Sequence, residues 1–489
     1  MTVTQGIISW AIIAAMLASG TPANPDAGDT DTGTPDTGDI DTGDVESGES
    51  GADTGETDTD EPEYYDYHGY NFKIANLMSD GGTDWTVDEL NGNIVNDAIY
   101  ARNRRVEDMY NIYMTEIPAT LDDVRGSVLS GEDDFDIVDL GISDLVRLAT
   151  ERMILDVSVF DKFDFTQPYW DNELMDSLQL GGKRYFLAGA ANLSTYENTH
   201  MLAYNKQLAE EYELGDLGQL VMDGQWTVDK FGELSDKVYL DINGDGVLDF
   251  GDQFGYLAAD SDMLASFTVG ADESLIDIVD GQPVFGLDTD ERFAALIEKL
   301  TDSDIKYSRL CTSTMKEDVN LSELFLSGDA LFYDVALSDV FELRRANEVD
   351  IGLVPYPKYD VTQPDYLSRV ENSAVTAIPI TARDPDRTSV IIEALAVESY
   401  NYVLTAFYEV TLLNKYSRDS ESVLMLDIAL AGRRFDLGDA AWGDVVRDRI
   451  AACLVHNNGI SAYDAPTLSE LAAQYKDEID KLCADFVFE

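Results

Sequence analysis

The residues with the most specific spacing for chemistry form an acidic loop at 241–252. Oxygen-bearing side chains stand at its first, third and fifth positions, a glycine at its sixth, and further donors at its seventh, ninth and twelfth. This order matches the EF-hand calcium loop, because Ca²⁺ takes about six to eight hard oxygen ligands on a flexible loop. We therefore expect a structural Ca²⁺ held by the side chains of Asp241, Asn243, Asp245, Asp249 and Asp252 and by the backbone carbonyl of Val247.

Two features of this loop depart from the EF-hand pattern. Asp252 stands where Glu is usual, and its shorter arm favours weaker binding through one oxygen. The residues that follow, Phe254 to Leu257, predict a strand and not the usual exiting helix. A structural clamp is therefore favoured over a signalling role, with an unoccupied acidic turn as the alternative.

The sequence shows no arrangement typical of catalysis. It contains neither a Gly-x-Ser-x-Gly elbow nor a phosphate-binding glycine loop. With 95 acidic residues, no pair of carboxylates can be singled out as catalytic. The three histidines are scattered, without partners at metal-ligand spacing: His68, His200 and His456. These absences argue against an enzyme.

The three cysteines, Cys311, Cys453 and Cys483, are odd in number and widely spaced. That spacing argues against a disulfide framework and predicts three free, buried thiols. Cys453 and Cys483 fall on two C-terminal helical stretches, so a bond between them is the alternative if the protein is exported.

Residues 181–212 predict how the chain is organised. A short apolar strand over Lys183–Leu187 is followed by a polar crossing over 188–198 and a second strand over His200–Tyr204. A helix is expected after Asn205, because asparagine suits a helix start. A chain that runs strand, crossing, strand and helix leaves one sheet and enters another, which predicts two lobes with a cleft between them.

Motifs spread over the chain after residue 68 resemble the extracellular solute-binding proteins of ABC importers, the sugar-type family that includes maltose-binding protein. Six motifs carry the resemblance, in the family's order: Gly182-Lys183-x-Tyr185, Tyr204-Asn205-Lys206, Trp226-Thr227-Val228-Asp229, Phe325-Leu-Ser-Gly328-Asp-Ala330-Leu-Phe332, Ile351-Gly352-Leu353-Val354-Pro355-Tyr356-Pro357, and Ala377-Ile378-Pro379. The resemblance implies an α/β, two-lobed, periplasmic-binding-protein-like (type II) fold with a hinge and an interlobe cleft. It further implies a monomer that captures a sugar or oligosaccharide by hinge closure and presents it to membrane permease subunits.

Sugar binding needs aromatic faces that stack on pyranose rings and polar groups that pair with hydroxyls. Trp85 follows the first predicted strand, in a loop suited to a cleft wall. By the resemblance, the crossing and the strand after Gly328 border the ligand. The candidate ligand-binding residues are Trp85, Tyr196, Glu197, Asn198, Trp226, Tyr333 and Asp334. Ordinary packing remains the alternative for each aromatic residue, above all for Trp226, which opens a helix.

The pattern after residue 68 alternates strands and helices: strands over 70–77, 111–117 and 135–140, and helices over 91–110 and 121–130. Alternation of this kind predicts a mostly parallel sheet covered by helices, with ligands at the carboxyl ends of its strands. By analogy with the family's crossings, lobe one comprises 68–190 and 378–425, and lobe two comprises 199–372 and 430–489.

The first 67 residues are expected to lie outside the fold. Ile7–Ala18 is too short to span a bilayer and resembles the apolar region of a secretory signal, so 1–20 is a signal-like segment, with a short buried core helix as the alternative. Gly20 stands where a lipidated cysteine would belong, which puts a lipid anchor in doubt. Residues 21–67, rich in Asp, Thr and Gly, predict a disordered acidic linker between cell surface and binding domain, or a passive solubilising tail.

The formal net charge of −63 limits the partners of this chain. Such a surface repels phosphate backbones and anionic lipid headgroups, which argues against nucleic-acid binding. The expected location is extracellular, either secreted or associated with the cell surface. Two other functions remain alternatives: a secreted, calcium-stabilised carbohydrate-active enzyme, and a surface sensor or adhesin on the same fold.

Overall fold

Alternating strands and helices build two separate sheets, each covered by helices. The computed structural model describes residues 65–76, 85–242, 244, 251–301, 309–311, 320–346, 349–371, 373–412, 420–454 and 467–484. Lobe one is the body built on the four-stranded sheet that contains residues 70–76. Lobe two is the body built on the five-stranded sheet that contains residues 200–205.

Local sequence sets the ends of the lobe-one elements. The first helix begins after Asn93, whose side chain accepts hydrogen bonds from the N–H groups of Val95 and Asn96, and it ends at Asn111 in the left-handed region. The next helix begins with a capping box between Thr120 and Asp123. The elements of this part are β1 (Tyr70–Asn76), α1 (Ile94–Tyr110), β2 (Ile112–Pro118), α2 (Leu121–Ser130), β3 (Ile137–Gly141), α3 (Ile142–Thr150), a 3₁₀ turn (Val157–Val159) and α4 (Asn172–Asp176).

Lobe two follows a short helix at the crossing, α5 (Leu193–Glu197). Its first elements are β4 (His200–Asn205), α6 (Lys206–Glu211), α7 (Leu217–Met222), α8 (Val228–Val238), β5 (Phe254–Ala258) and α9 (Asp260–Gly270). A hairpin of β6 (Asp277–Val279) and β7 (Gln282–Val284) comes next, then α10 (Glu291–Thr301), β8 (Arg309–Cys311), α11 (Leu321–Leu326), β9 (Ala330–Ala336), α12 (Leu337–Ala346), β10 (Ile351–Val354) and β11 (Ser368–Arg369).

The chain then returns to lobe one through β12 (Ala374–Ala377), α13 (Pro385–Glu398), a π-helical segment (Ser399–Val403) and α14 (Leu404–Leu412). The last elements pack on lobe two: α15 (Ser420–Ala431), β13 (Arg433–Arg434), α16 (Leu437–Ala440), α17 (Arg447–Ile450), a 3₁₀ turn (Ala451–Leu454) and α18 (Leu468–Ala484). The division expected from sequence placed the return to lobe one at residue 378, whereas β12 already belongs to its sheet at 374.

In each sheet, the carboxyl ends of the parallel strands lie at the same edge. In lobe one the order is β12-β3-β1-β2, with β1, β2 and β3 parallel and β12 antiparallel to β3. In lobe two the order is β10-β4-β9-β5-β8, where β5 and β9 run parallel and β4 runs antiparallel to β9. The carboxyl ends of β1 and β3 and of β5 and β9 therefore lie near the crossing, where a ligand of such sheets binds.

An aromatic cluster fills the core of lobe two. Phe231 packs edge-on against Tyr256 and Phe267, with ring centroids 5.2 and 5.0 Å away, and Trp226 and Phe332 close the group. Edge-to-face contacts of this kind stabilise a core beyond their burial. Trp226 is fully buried, and its indole N–H donates to the backbone oxygen of Pro355 at 2.8 Å. The alternative interpretation of Trp226, as a core residue that opens a helix, matches this position.

The helices and parallel strands expected at 70–141 are confirmed to within a few residues, and so is the strand after Asp252. The strand expected over Lys183–Leu187 is wrong. The chain there makes only isolated bridges, Leu180 with Lys183 and Leu187 with Thr376, because neighbouring residues turn at Gly181 and Gly182. Cys453 and Cys483 are both buried, and no disulfide joins them, so the alternative of a bond between them is wrong.

The continuous helix from Pro385 to Val410 is long and apolar enough to cross a membrane by length and composition. More than half of its most apolar window is buried, and it packs against α1 of lobe one. We therefore describe it as a core helix of that lobe.

Gly255 of β5 sets the distance between this strand and α8. A Cβ added there would stand 2.4 Å from the backbone oxygen of Ser235. We expect Gly255→Ala to destabilise lobe two by about 1–3 kcal/mol, because either the strand or the helix must shift. Differential scanning calorimetry measures the change as a lower melting temperature.

The matched control is Gly126→Ala in α2, where an added Cβ meets nothing within 4 Å. Alanine there should stabilise the helix by about 0.5–1 kcal/mol. Equal melting temperatures for the two variants would contradict the close approach of β5 and α8.

Candidate functional site

The chain passes between the lobes three times, and two of these passages lie side by side and are hydrogen-bonded to each other; the third joins α14 to α15. The N–H of Glu371 donates to the backbone oxygen of Asn198 at 3.2 Å, and Thr199 bridges Val370. Closer to lobe one, the hydroxyl of Ser194 donates to the backbone oxygen of Ala374 at 2.9 Å. These two crossings therefore form one narrow, hydrogen-bonded ribbon.

A polar group of lobe one lies at the start of this ribbon, where β1 and β3 end. Asp139 of β3 is fully buried, and its Oδ1 accepts hydrogen bonds from Asn192 and Thr376, each at 3.1 Å. Burial raises the pKa of Asp139 to about 6, although hydrogen bonds from Trp85, Thr376 and Asn192 favour its charged form. Asn76, the last residue of β1, is the neighbouring polar side chain.

Trp85 is held in this group through its backbone and its ring. Its carbonyl oxygen accepts hydrogen bonds from Arg102 at 2.7 Å and from Asn103 at 2.9 Å. The guanidinium of Arg102 also stands 5.5 Å from the indole ring, and its other N–H groups reach Asn103 and Ser399. Burial lowers the pKa of Arg102 to about 10. The π-helical segment thus helps to place Trp85 through Ser399 and Arg102.

These side chains line a small cavity at the carboxyl ends of the lobe-one strands β1 and β3. Its wall includes Asn76, Trp85 and Asp139 from lobe one and Asn192 and Ser194 from the crossing. Acceptors, amide groups and an aromatic ring therefore meet in one concave place, which is the composition of a site for a small polar ligand.

A second polar group lies on lobe two, at the start of β4 and the carboxyl end of β9. Nδ1 of His200 stands 3.0 Å from Asp334, and Nε2 stands 3.6 Å from Glu371. Burial by itself would lower the pKa of His200, but the two carboxylates outweigh both burial and the nearby Arg369 and raise that pKa to about 10. Asp334 also accepts a hydrogen bond from the hydroxyl of Tyr356.

Arg369 ties this group to three other elements. Its fully buried guanidinium contacts Asp439 of α16 at 2.6 Å, Asp262 of α9 at 2.9 Å and Glu371 of the crossing at 3.2 Å. Although burial opposes its charge, Glu371 has its pKa lowered to about 2 by His200 and Arg369. The Glu371 and Asp262 side chains are 38% and 29% exposed, so carboxylates face the gap while the cations stay behind them.

The structure distributes the ligand-binding residues expected from sequence over several places. Trp85 lies in the lobe-one cavity, Asp334 in the lobe-two group, and Glu197 and Asn198 lie half-buried at the crossing. Tyr333 is half-buried beside Phe325, with ring centroids 5.4 Å apart. Tyr196 is buried beneath the guanidinium of Arg433, and Trp226 lies in the core.

Sequence reasoning missed the residues that organise both groups: Asn76, Arg102, Asp139, Asn192, His200, Arg369 and Glu371. One signal was available for two of them, because Asn76 and Asp139 are polar residues at the ends of otherwise apolar strands. No pattern marks Arg102 or Arg369, because the partners that fix them in the fold include residues far away in sequence, Ser399 for Arg102 and Asp439 for Arg369.

Most of the expected calcium loop, Asn243 and residues 245–250, lies outside the described residues. Its two described ends come together. Leu240 bridges Gln253, and buried Asp252 accepts a hydrogen bond from the N–H of Ile242 at 3.1 Å. Within the described part of the chain, no group of three or more His, Cys, Asp or Glu side chains could hold a metal ion.

Comparison with known proteins adds a family to this geometry. The family model described as bacterial extracellular solute-binding protein matches residues 109–408, more than half of the chain. A search of curated proteins found no match.

Solved structures show the same fold at low sequence identity. The sugar-binding protein MalE from Xanthomonas citri is similar with a TM-score of 0.60 and 14% identity, over 86% of this chain and 100% of that one. A sugar transporter protein from Rhizobium etli, in an open conformation, has a TM-score of 0.58 and 14% identity, over 84% of this chain and 99% of that one. The galacto-N-biose-/lacto-N-biose I-binding protein of the ABC transporter from Bifidobacterium longum has a TM-score of 0.54 and 10% identity, over 86% of this chain and 98% of that one.

The charge state of His200 tests the lobe-two group. We expect both ring nitrogens to carry protons at pH 8, because the pKa is raised to about 10 by Asp334 and Glu371. Nitrogen-15 NMR of the imidazole measures this directly, and His200→Gln assigns the resonance by removing it. A neutral ring with one protonated nitrogen at pH 8 would rule out the paired imidazolium.

The raised pKa of His200 also predicts how the stability of the protein changes with pH. Because the folded pKa lies above the ordinary value of 6.5, the contribution of His200 is complete below about pH 6.5 and is lost as the pH rises through about 10.

Proposed function

Because this chain belongs to the bacterial extracellular solute-binding proteins, we propose that it captures a sugar or oligosaccharide outside the cell and passes it to an ABC-type permease. One observation carries the proposal: polar groups of both lobes lie beside the ribbon that joins them. The sugar-binding proteins from X. citri, R. etli and B. longum share the fold and support this solute class.

The chemistry of the two groups suits a ligand rich in hydroxyls. Asp139 and Asn192 on one side and Glu371 and Asp262 on the other offer acceptors and amide donors, which pair with hydroxyls without requiring a charged solute. We propose that Trp85 and Tyr333 supply aromatic surface, and that Glu197, Asn198 and Asp334 help to orient the ring. Trp226 stays in the core in this proposal and has no contact with the solute.

Binding would work by hinge closure. A solute that touches both polar groups binds the closed form better than the open one and therefore shifts the population towards closure. The closed form would then present both lobes to the permease, with the protein acting as a monomer. We propose no chemistry on the solute itself, so release of reducing ends from polysaccharides is expected to be absent.

A panel of mono- and oligosaccharides, tested by thermal shift and then by titration calorimetry, examines the proposal. At least one sugar should raise the melting temperature, and Glu371→Gln should weaken its binding about tenfold, because a charged acceptor at the crossing is lost. No shift with any sugar would contradict a sugar receptor.

Glu151→Gln is the matched control. Its side chain is 36% exposed and pairs with Arg125, much as Glu371 is 38% exposed and pairs with Arg369, but Glu151 lies at the end of α3, away from the crossing. The affinity for the sugar should be unchanged in this variant. Equal losses of sugar affinity in Glu371→Gln and Glu151→Gln would indicate that net charge, and not the site, determines the affinity.

We also propose that the loop at 241–252 binds a structural Ca²⁺. Its oxygen spacing supports the proposal, and so does the closure of its ends by Leu240, Gln253 and Asp252. The metal would neutralise a concentration of carboxylates and hold the connection between α8 and β5 in place.

Removing Ca²⁺ with EDTA should lower the melting temperature by several degrees, and adding Ca²⁺ back in excess should restore it. In Asp252→Asn the response to Ca²⁺ should shrink, whereas Asp223→Asn, an exposed residue outside the loop, should respond like the parent. A melting temperature that does not change when Ca²⁺ is removed or added would rule out the metal site.

The family is extracellular, which agrees with the expected location. Residues 1–64 lie outside the described part of the chain. We propose that they contain an export signal and a spacer, and that the binding domain is attached to the surface without a lipid at Gly20 or is secreted.

A further inference from the structure

The long core helix of lobe one is interrupted by its π-helical segment, Ser399–Val403. The N–H of Leu404 donates to the backbone oxygen of Ser399, five residues earlier, so this turn holds one residue more than an α-helical turn. An extra residue rotates the rest of a helix by about 100°. Leu404 and Tyr408 thereby stay on the buried side of the helix with Ser399. A single π-helical turn inside an α-helix is often found at a functional site.

Both ends of the π-helical turn serve the lobe-one cavity. Val403, its last residue, lines the cavity wall. Ser399, its first residue, is fully buried, and its hydroxyl oxygen accepts a hydrogen bond from Nη1 of Arg102 at 3.2 Å. Asn401 and Tyr402, between them, are exposed. The wide turn therefore supplies one side chain to the cavity wall and holds a second residue of the same wall, Arg102, by a hydrogen bond.

Arg102 is a buried cation whose hydrogen-bond partners among the described residues are all neutral. Besides Ser399, it donates to the side-chain oxygen of Asn103 at 2.9 Å and to the backbone oxygen of Trp85 at 2.7 Å. Burial lowers its pKa to about 10, because the charged form is poorly solvated there. An apolar side chain of similar size would fill this space at a lower cost in free energy. What the guanidinium holds therefore explains its presence better than packing does.

Trp85 is the residue that Arg102 holds. It lies in the connection before α1, where residues 85–93 form neither helix nor strand. Side chains fix it instead, because Arg102 and Asn103 donate to its backbone oxygen and Asp139 accepts a hydrogen bond from its indole. The guanidinium of Arg102 also stands 5.5 Å from the centroid of the indole ring, within the range of a cation–π contact.

We infer that Ser399 and Arg102 are positioning residues of the solute site. The π-helical turn holds its hydroxyl against Arg102, and Arg102 holds Trp85 in the orientation that a sugar ring meets. The inference rests on the proposed function, in which Trp85 supplies aromatic surface to the solute. An aromatic wall that is already in place spares the cost of ordering it when the solute binds. Loss of the link therefore lowers the apparent affinity by the fraction of molecules in which Trp85 is in place.

Tryptophan fluorescence in the absence of any solute tests the link. The chain has five tryptophans, so the emission of Trp85 is obtained as the difference between a variant and the same variant with Trp85→Phe. In Ser399→Ala this emission should move to longer wavelengths and be quenched more by acrylamide, because the ring gains contact with water. Ser399→Thr keeps a hydroxyl at the same place and should retain the emission of the parent.

Ser389→Ala is the matched control. Ser389 is fully buried in the same helix, but its hydroxyl donates to the backbone oxygen of Asp386 at 2.8 Å, a neighbour within that helix. This variant also loses one buried hydrogen bond. The emission of Trp85 and the affinity for sugar should both be unchanged in it.

Titration calorimetry with the sugar that binds best measures the effect on the site. Ser399→Ala should weaken binding about two- to tenfold, the loss expected for one hydrogen bond, and Ser399→Thr should bind like the parent. Arg102→Lys keeps the charge but loses the planar fork that joins Ser399 to Trp85, so it should weaken binding in the same direction. It carries the test if Ser399→Ala does not fold.

A parent-like emission of Trp85, or a parent-like affinity for sugar, in the folded variants Ser399→Ala and Arg102→Lys would overturn this inference. Equal changes in Ser389→Ala would overturn it as well, because the loss of any buried hydrogen bond in the helix would then have the same effect. If no sugar of the panel binds the parent, the proposed function fails, whereas the emission of Trp85 still decides whether Ser399 and Arg102 hold it.

Discussion

The hydrogen-bonded ribbon formed by residues 194–200 with residues 370, 371, 373 and 374 is the constraint on which the rest of the structure depends. The backbone bond between Asn198 and Glu371 and the bridge between Thr199 and Val370 hold these two crossings together. Because the two crossings are bonded to each other, one cannot bend without the other. The lobe-one cavity and the lobe-two group both lie beside this ribbon, so a change in its bend alters both.

The positively charged side chains near the ribbon are buried, whereas two of the carboxylates that pair with them are partly exposed. The chain carries a formal net charge of −63, yet the cations near the crossing, Arg102, His200, Arg369 and Arg433, are all buried. Arg369 and His200 are each paired with carboxylates, which repays part of the cost of burying charge and makes removal of either partner expensive. Partly exposed Glu371 and Asp262 are left to face the gap, where they can accept hydrogen bonds from a hydroxyl-rich ligand.

Sequence patterns predicted most helices and strands, but only some of the side chains that line the candidate site. Apolar periodicity and the helix start at Asn205 marked helices and strands because these signals are local. The strand expected at 183–187 failed because the paired glycines at 181 and 182 turn the chain and leave isolated bridges. Arg369 and Asp439 are separated by 70 residues and Asp139 and Thr376 by 237, and no local pattern reports such pairs. The resemblance predicted the two lobes, but not which side chains meet beside the ribbon.

Small-angle X-ray scattering, with and without the sugar that binds best, tests the central claim most directly. If the ribbon is a hinge and both polar groups hold the solute, the radius of gyration falls when the sugar saturates the protein, because the lobes approach each other. An unchanged radius of gyration at a sugar concentration shown by calorimetry to saturate the site would contradict closure and would make the ribbon a rigid connection.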